Sequence, residues 1–311
     1  MTDKLSLLSL LKQYSHPRYW LTWIGLAFIR LLVMLPLPIL AVSGYLIGSI
    51  AYCVMGKRRA IAYKNIRVCF PEWTERQCTV TNYKHFCYLG QMILTTCMNW
   101  WISSARFDRL VTIHNREHYD QAIADGKNII LLSPHFLAIE ISGLALQRER
   151  KMVGMYQYMK NPILNIMAIQ GRSRFSTNAG MFERKAPLRG ILREINKGCP
   201  FSYYPDQDAM RKGVFVPFFH TLASTTPALS KFVGVTKAVV IPARNVMRPW
   251  GMGYDVYLGE PVQGLNTKDE IVDTTVMNKS IEMMVRETPE QYLWVHKRYK
   301  TRPEGEPKFY K

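Results

Sequence analysis

The sequence predicts an α/β domain of three layers, with helices on both faces of a sheet, behind an N-terminal membrane helix or hairpin. Three observations carry this reading. From residue 109 onward, short apolar runs of strand length alternate with helical stretches, as in a layered α/β sheet. One run, NIILLS at 128–133, is aliphatic and lies between Gly126 and Pro134, as an interior parallel strand does. Between Tyr19 and Met55 the only charged residue is Arg30.

Taken in order, the front segment comes first. Its 37 residues as one helix would run to about 55 Å, longer than the roughly 30 Å hydrocarbon core of a bilayer. Something must bend, tilt or emerge. Pro36 and Pro38 sit near the middle, so the segment is either a kinked helix whose first part lies in the interface, anchored by Trp20 and Trp23, or a re-entrant hairpin. The alternative, a long buried core helix, fits poorly with 25 residues free of charge after Arg30. Lys57, Arg58, Arg59, Lys64 and Arg67 follow at once, and the positive-inside rule then holds the downstream domain on the cytoplasmic side. The expected division is a membrane anchor over 1–56 and a second domain over 57–311.

Residues 72–103 are dense in helix formers and aromatics and read as one or two long helices. Strands are predicted over 109–114, 128–133, 151–157, 200–205, 238–246 and 253–259, with helices near 138–148, 161–170, 187–197, 227–235 and 268–287. Thr226 before Pro227 reads as a helix start, which puts the preceding VPFFHTLAST on a loop. There is no internal repeat, low-complexity tract or Gly/Ser-rich linker.

The chain's 311 residues, 48% hydrophobic and 21% charged, can bury one large core or two modest ones. Lys plus Arg outnumber Asp plus Glu 41 to 23, a net charge of +18 that implies an anionic partner. Phospholipid headgroups and an acidic protein fit this. Nucleic acid is disfavoured by the lack of any helix-turn-helix, zinc or RNP-like pattern. Six cysteines without a C-x-x-C pairing suit buried helix positions and a reducing compartment. No secretory signal is expected, because the apolar stretch begins near Tyr19 and lacks a cleavage site.

The candidate chemistry begins at His135, just past the carboxyl end of the 128–133 strand, where ligands bind in open α/β sheets. Glu140 follows five residues later. On a regular helix the two would point about 140° apart. With Pro134 and His135 on a loop before a helix starting near Phe136 or Leu137, however, the imidazole can fold back onto the Glu140 carboxylate. A carboxylate on one ring nitrogen fixes the tautomer and leaves the other nitrogen to take a proton from a hydroxyl. Ser133 points to the opposite strand face and no G-x-S-x-G elbow is present, so the pair has no protein nucleophile.

HFLAIE at 135–140 resembles the His-x4-Asp/Glu motif of glycerolipid acyltransferases, and the Glu form is similar to the late (secondary) acyltransferases of lipid A biosynthesis. Further matches follow in that family's order: KNPILNIMAIQGRSRFS at 160–176, YYPDQDAMRKGVFVPFF at 203–219, IPARNVMR at 241–248 and WVHKRYKTRP at 294–303. The resemblance covers nearly the whole chain. One departure is His220, where such proteins commonly carry Gly. The resemblance implies a glycerolipid-acyltransferase-like αβα fold on the cytoplasmic face of the bacterial inner membrane. It also implies transfer of a fatty acyl group from acyl carrier protein to a hydroxyl of a lipid A precursor, with no cofactor and no metal.

Arg172 and Arg174 present two guanidinium forks one residue apart, suited to a phosphate or sugar-acid carboxylate, and the family's second motif favours Arg172. Asp206 and Asp208 also follow a strand's carboxyl end. They are expected to organise arginines and acceptor hydroxyls, because two carboxylates without a third ligand make a weak metal site. His296, Lys297 and Arg298 read as surface or interface charge. Expected partners are acyl carrier protein, the lipid A precursor and membrane phospholipid. Acylation of a lysophospholipid or another glycolipid is the enzymatic alternative, and a basic membrane-bound scaffold the non-enzymatic one.

Overall fold

The computed structural model describes residues 7–175 and 180–310; Ser176, the last residue of the 160–176 motif, and the side chain of Cys97 lie outside the described residues. The front end is helical throughout: α1 (Leu7–Gln13), α2 (Trp20–Met34), α3 (Leu37–Val54), α4 (Gly56–Cys69) and α5 (Glu75–Thr95). The segment expected as a kinked helix or a hairpin is thus two helices, α2 and α3, broken at Leu35–Pro36. Leu35 precedes a proline, which disfavours helical backbone, and it turns extended at ψ 150. Arg106 donates to the freed carbonyls of Val33 and Leu35, both at 2.6 Å, and so supplies the partners that the broken helix no longer gives them.

α3 is long and apolar enough to cross a membrane. On α2, Leu21, Ile24, Phe28 and Leu31 point outward, and on α3 so do Ile39, Val42, Leu46 and Ile50. These spacings of three and four make one stripe per helix. The other face of α3 lies on α5 at backbone distance: a Cβ at Gly48 would come within 2.1 Å of the Phe86 carbonyl oxygen, and one at Gly90 within 2.1 Å of that of Gly44. Glycine is required there because two backbones touch. The basic residues of α4 hold carbonyls of the packed chain, as when Arg58 donates to Val295 at 3.1 Å and Arg59 to Tyr52 at 2.9 Å.

The rest of the chain runs α6 (Ser104–Leu110), β1 (Val111–His114), α7 (Glu117–Ala124), β2 (Ile129–Leu132), α8 (Ile141–Leu146), β3 (Val153–Tyr156) and α9 (Pro162–Arg172). After these come β4 (Gly180–Glu183), α10 (Arg189–Asn196), β5 (Phe201–Tyr203), β6 (Val214–Phe218), β7 (Thr221–Thr225), α11 (Ala228–Thr236), β8 (Val239–Met247), β9 (Tyr254–Leu258) and α12 (Glu270–Glu287). Seven strands form the central sheet in the order β1-β9-β8-β2-β5-β3-β4, parallel except for β8 against β9. β2 lies inside it and is wholly buried, as its unbroken aliphatic run requires. Its side chains alternate between two cores. Ile130 and Leu132 join α4, α5, α11 and α12 on one face, while Ile129 and Leu131 join α3, α6, α7 and α8 on the other. The result is the layered αβα arrangement.

The segment expected as a loop before Thr226 is instead the antiparallel hairpin β6–β7, turning at Phe219–His220. The Pro217 in it is tolerated because the pair is a separate two-stranded sheet in which its missing N–H faces outward. Between β8 and β9, Trp250 and Met252 stand out from the surface, Trp250 being 68% exposed and stacked on Tyr45 of α3. Gly251 fits there at φ +72 with its backbone against Leu37, where a Cβ would lie 2.5 Å from the carbonyl oxygen.

Candidate active site

β2 and β5 run parallel with Leu132 opposite Tyr203, and Ser133 N–H donates to the Tyr203 carbonyl at 2.9 Å. Each strand then meets a proline two residues on, and each proline precedes an ionisable residue: Pro134–His135 and Pro205–Asp206. Proline ends both ladders at the same level, so the two residues emerge side by side. Asp206, 1% exposed, accepts from His135 twice: the ring Nδ1–H at 2.6 Å and the main-chain N–H at 2.8 Å. Burial pushes this carboxyl up, but the neighbouring His135 and the hydrogen bonds from it outweigh burial and hold Asp206 below the usual carboxylate range. An ionised Asp206 on Nδ1 selects the tautomer with its free lone pair on Nε2.

The imidazole's partner is therefore Asp206, whereas the spacing of the motif had pointed to Glu140. After His135 the chain does not enter a helix. It turns, with Phe136 N–H bonding the Pro134 carbonyl at 2.7 Å and Leu137 N–H bonding that of Gln291 at 2.9 Å, and α8 starts only at Ile141. Glu140 stands just before that helix and faces Arg172 at the last turn of α9, its Oε1 accepting from Nε at 2.7 Å and lying 2.7 Å from Nη2. Both charges are favoured where they stand, the carboxylate at a helix N-terminus and the guanidinium at a C-terminus. Glu140 Oε2 is buried and unpartnered.

His135, Glu140, Arg172 and Asp208 line one cavity of about 560 Å3, together with Ile139, Leu144, Met152, Met155, Met181, Tyr204 and Phe232. The lining is predominantly apolar, with these few charged groups set into it, as in a pocket for a ligand with a large apolar part. Tyr204 packs against His135 with ring centroids 5.8 Å apart, and burial pushes its phenol up to about 12, so it stays neutral.

Arg174 is placed elsewhere, donating from Nη1 to the Trp100 carbonyl, so the two guanidiniums expected to work together part at the end of α9. Asp208 accepts from Thr301 N–H at 3.2 Å and Oγ1–H at 3.0 Å, and its own N–H donates to His296 Nε2 at 3.1 Å. Burial pushes the His296 imidazole down, which keeps Nε2 an acceptor. The His296–Arg298 stretch is structural and not surface charge: Arg298 is 3% exposed and donates to Ser224 O at 2.7 Å and to Thr225 Oγ1 at 2.5 Å. Sequence reasoning had missed this C-terminal segment's part in the site. Phe136 bridges Tyr292, and Leu293 N–H bonds the His135 carbonyl at 3.0 Å, so residues 291–293 brace the turn that carries His135. His220 lies on the β6–β7 turn and is not among the residues lining the cleft. Among the described residues no cluster of three or more His, Cys, Asp or Glu could hold a metal ion.

A family model described as "Bacterial lipid A biosynthesis acyltransferase" matches residues 9–301. The chain is 33% identical over 297 residues to the lipid A biosynthesis lauroyltransferase of Escherichia coli (strain K12), covering 95% of this chain and 96% of the relative. To the lipid A biosynthesis palmitoleoyltransferase of the same organism it is 33% identical over 304 residues, 96% of this chain and 97% of the relative. The lipid A biosynthesis myristoyltransferase of that organism is more distant, at 27% over 306 residues, 96% of this chain and 93% of the relative.

Proposed function

Since the chain belongs to the bacterial lipid A biosynthesis acyltransferase family, we propose that it moves a fatty acyl group from acyl carrier protein to a hydroxyl, of a 3-hydroxyacyl chain, on a lipid A precursor. The observation that carries this is the double hydrogen bond of Asp206 to His135, which leaves Nε2 as a base on the wall of a predominantly apolar cleft. The acceptor hydroxyl gives its proton to Nε2 while its oxygen attacks the thioester carbonyl. The tetrahedral intermediate collapses by breaking the C–S bond, and the imidazolium returns the proton to the departing thiolate. Asp206 orients the imidazole and stabilises its charged form. Glu140 fixes Arg172, whose other N–H groups meet the developing oxyanion or the acceptor's phosphate.

The apolar stripes of α2 and α3 lie in the inner membrane, with the sheet on its cytoplasmic face and residues 1–56 as the membrane anchor of an acyltransferase domain over 57–311. The net charge of +18 favours docking of an acidic carrier protein and binding of a phosphorylated glycolipid. Purified enzyme with acyl carrier donor and lipid A precursor as acceptor should give a product heavier by one acyl group. With donor alone, the intact mass of the enzyme should not change. A stoichiometric acyl adduct removed by hydroxylamine would mean a protein nucleophile and would overturn direct attack.

A further inference from the structure

A second cavity, of about 280 Å3, opens on the other side of the end of α9 and is lined by Arg30, Trp100, Trp101, Gln170, Leu10 and their neighbours. Arg30 is the only charge between Tyr19 and Met55. By helix geometry it stands about 140° from the outward stripe of α2 and about 40° from buried Leu26, and it remains exposed at the mouth of the cavity. Its guanidinium lies 5.8 Å over the Trp101 ring, and among the described residues it pairs with no carboxylate; none of the residues lining the cavity is acidic. Arg174 is close by: burial, and after it the charge of Arg30, hold its guanidinium below the usual range. One accessible cation, Arg30, thus lines an indole-walled cavity in the part of the molecule that carries the apolar stripes, with a second, Arg174, bound to the Trp100 carbonyl beside it. The cavity and the catalytic cleft are one residue apart on α9. Gly171 lines both the helix surface and this cavity, with room only for the Trp100 indole, since a Cβ there would come within 2.2 Å of its Cδ1, while Arg172 turns to the cleft.

We propose that this cavity binds the phosphate of a lipid, with Arg30 as its pairing charge, the two indoles as amphipathic walls and Leu10 against the first methylenes. A phosphate fits better than a carboxylate carried on a protein, because the opening lies beside the lipid-facing helix and tryptophan favours the headgroup level. The phosphate can come from bulk anionic phospholipid or from the phosphorylated acceptor itself. The proposal does not depend on the acyl-transfer reading, since binding is measured without turnover.

The test uses the full chain in neutral detergent, titrated with short-chain phosphatidylglycerol or phosphatidylcholine and read by native mass spectrometry. A parallel arm uses the phosphorylated acceptor and its dephosphorylated form. Wild type should hold at least one phosphorylated anionic ligand about tenfold more tightly than its uncharged or dephosphorylated counterpart, as a hydrogen-bonded charge pair supplies. Arg30→Gln should lose that preference, Arg30→Lys should keep only part of it, since the charge stays while the fork is lost, and Arg18→Gln, an exposed cation over Tyr19 outside the cavity, should keep it. Preference for phosphatidylglycerol identifies the bulk lipid, and preference for the phosphorylated acceptor alone identifies the substrate. No preference in wild type, or equal loss in Arg18→Gln, would overturn the site whether or not Arg30→Gln folds.

Discussion

Asp206 grips His135 by ring and main chain at once, so the direction of the imidazole and the position of its backbone are set by the same carboxylate. Asp206→Asn should therefore cost kcat about 100-fold or more, the range for an essential base held in the wrong tautomer, with little change in acceptor KM. Steady-state kinetics with varied acceptor decide this. Turnover above about a tenth of wild type would give the orienting role to another group.

Glu140 acts through Arg172 rather than through the imidazole, so its loss should read differently. Glu140→Gln should raise the acceptor KM as well as lower kcat, because the released guanidinium no longer presents a fixed fork. Arg172→Lys should show the same split. A Glu140→Gln enzyme with unchanged KM and only kcat lost would put the carboxylate on the imidazole after all.

The contact between α3 and α5 leaves no room at Gly48, while Gly25 on α2 has nothing within 4 Å of a built Cβ. Gly48→Ala should destabilise the protein by about 1–3 kcal/mol or prevent folding, whereas Gly25→Ala should be neutral or slightly stabilising. Thermal unfolding in detergent compares the two. Equal melting temperatures would contradict the packing.

Asp255 binds Arg248 and accepts from His114 at 2.8 Å, and the Arg248 hydrogen bonds above all hold its carboxyl below the usual range. A depressed carboxyl contributes stability above its unfolded value, about 3.9, and loses it as pH falls through the lower folded value. Asp255→Asn should thus melt below wild type at pH 7, and the gap should close as pH is lowered past 4 towards 2. A gap that persisted at the lowest pH would assign it to packing and not to charge.

Trp250 should sit at the membrane surface. Vesicles with brominated acyl chains should quench wild-type fluorescence more than that of Trp250→Phe. Equal fractional quenching would place the β8–β9 turn in water.

The sheet was readable because each of its buried strands announces itself: the run at 128–133 has no polar interruption and is closed by glycine and proline. The β6–β7 hairpin was not, because Pro217 and the adjacent Phe218, Phe219 and His220 break the alternation that marks a strand, and its pairing partner is itself. Gly180–Glu183 escaped notice as a half-buried edge strand four residues long. At the site, His135, Glu140 and Arg172 could be picked out from local motifs. The pairing of His135 with Asp206 spans 71 residues, and spacing within one motif cannot report on it. The signal was nonetheless present, since both residues follow a proline at the end of an apolar strand, and parallel neighbours ending alike bring those positions together.

The bracing of the His135 turn by residues 291–293 bears on when the enzyme becomes active in the cell. A nascent chain is threaded out from its N-terminus, so α2, α3, β2, β5 and Asp206 are all available long before Tyr292 and Leu293 leave the ribosome. A chain stopped before residue 291 can carry His135, Glu140, Arg172 and Asp206 and still lack the strut that holds the His135 turn in place. The His135 turn is then fixed only after residues 291–293 have been made.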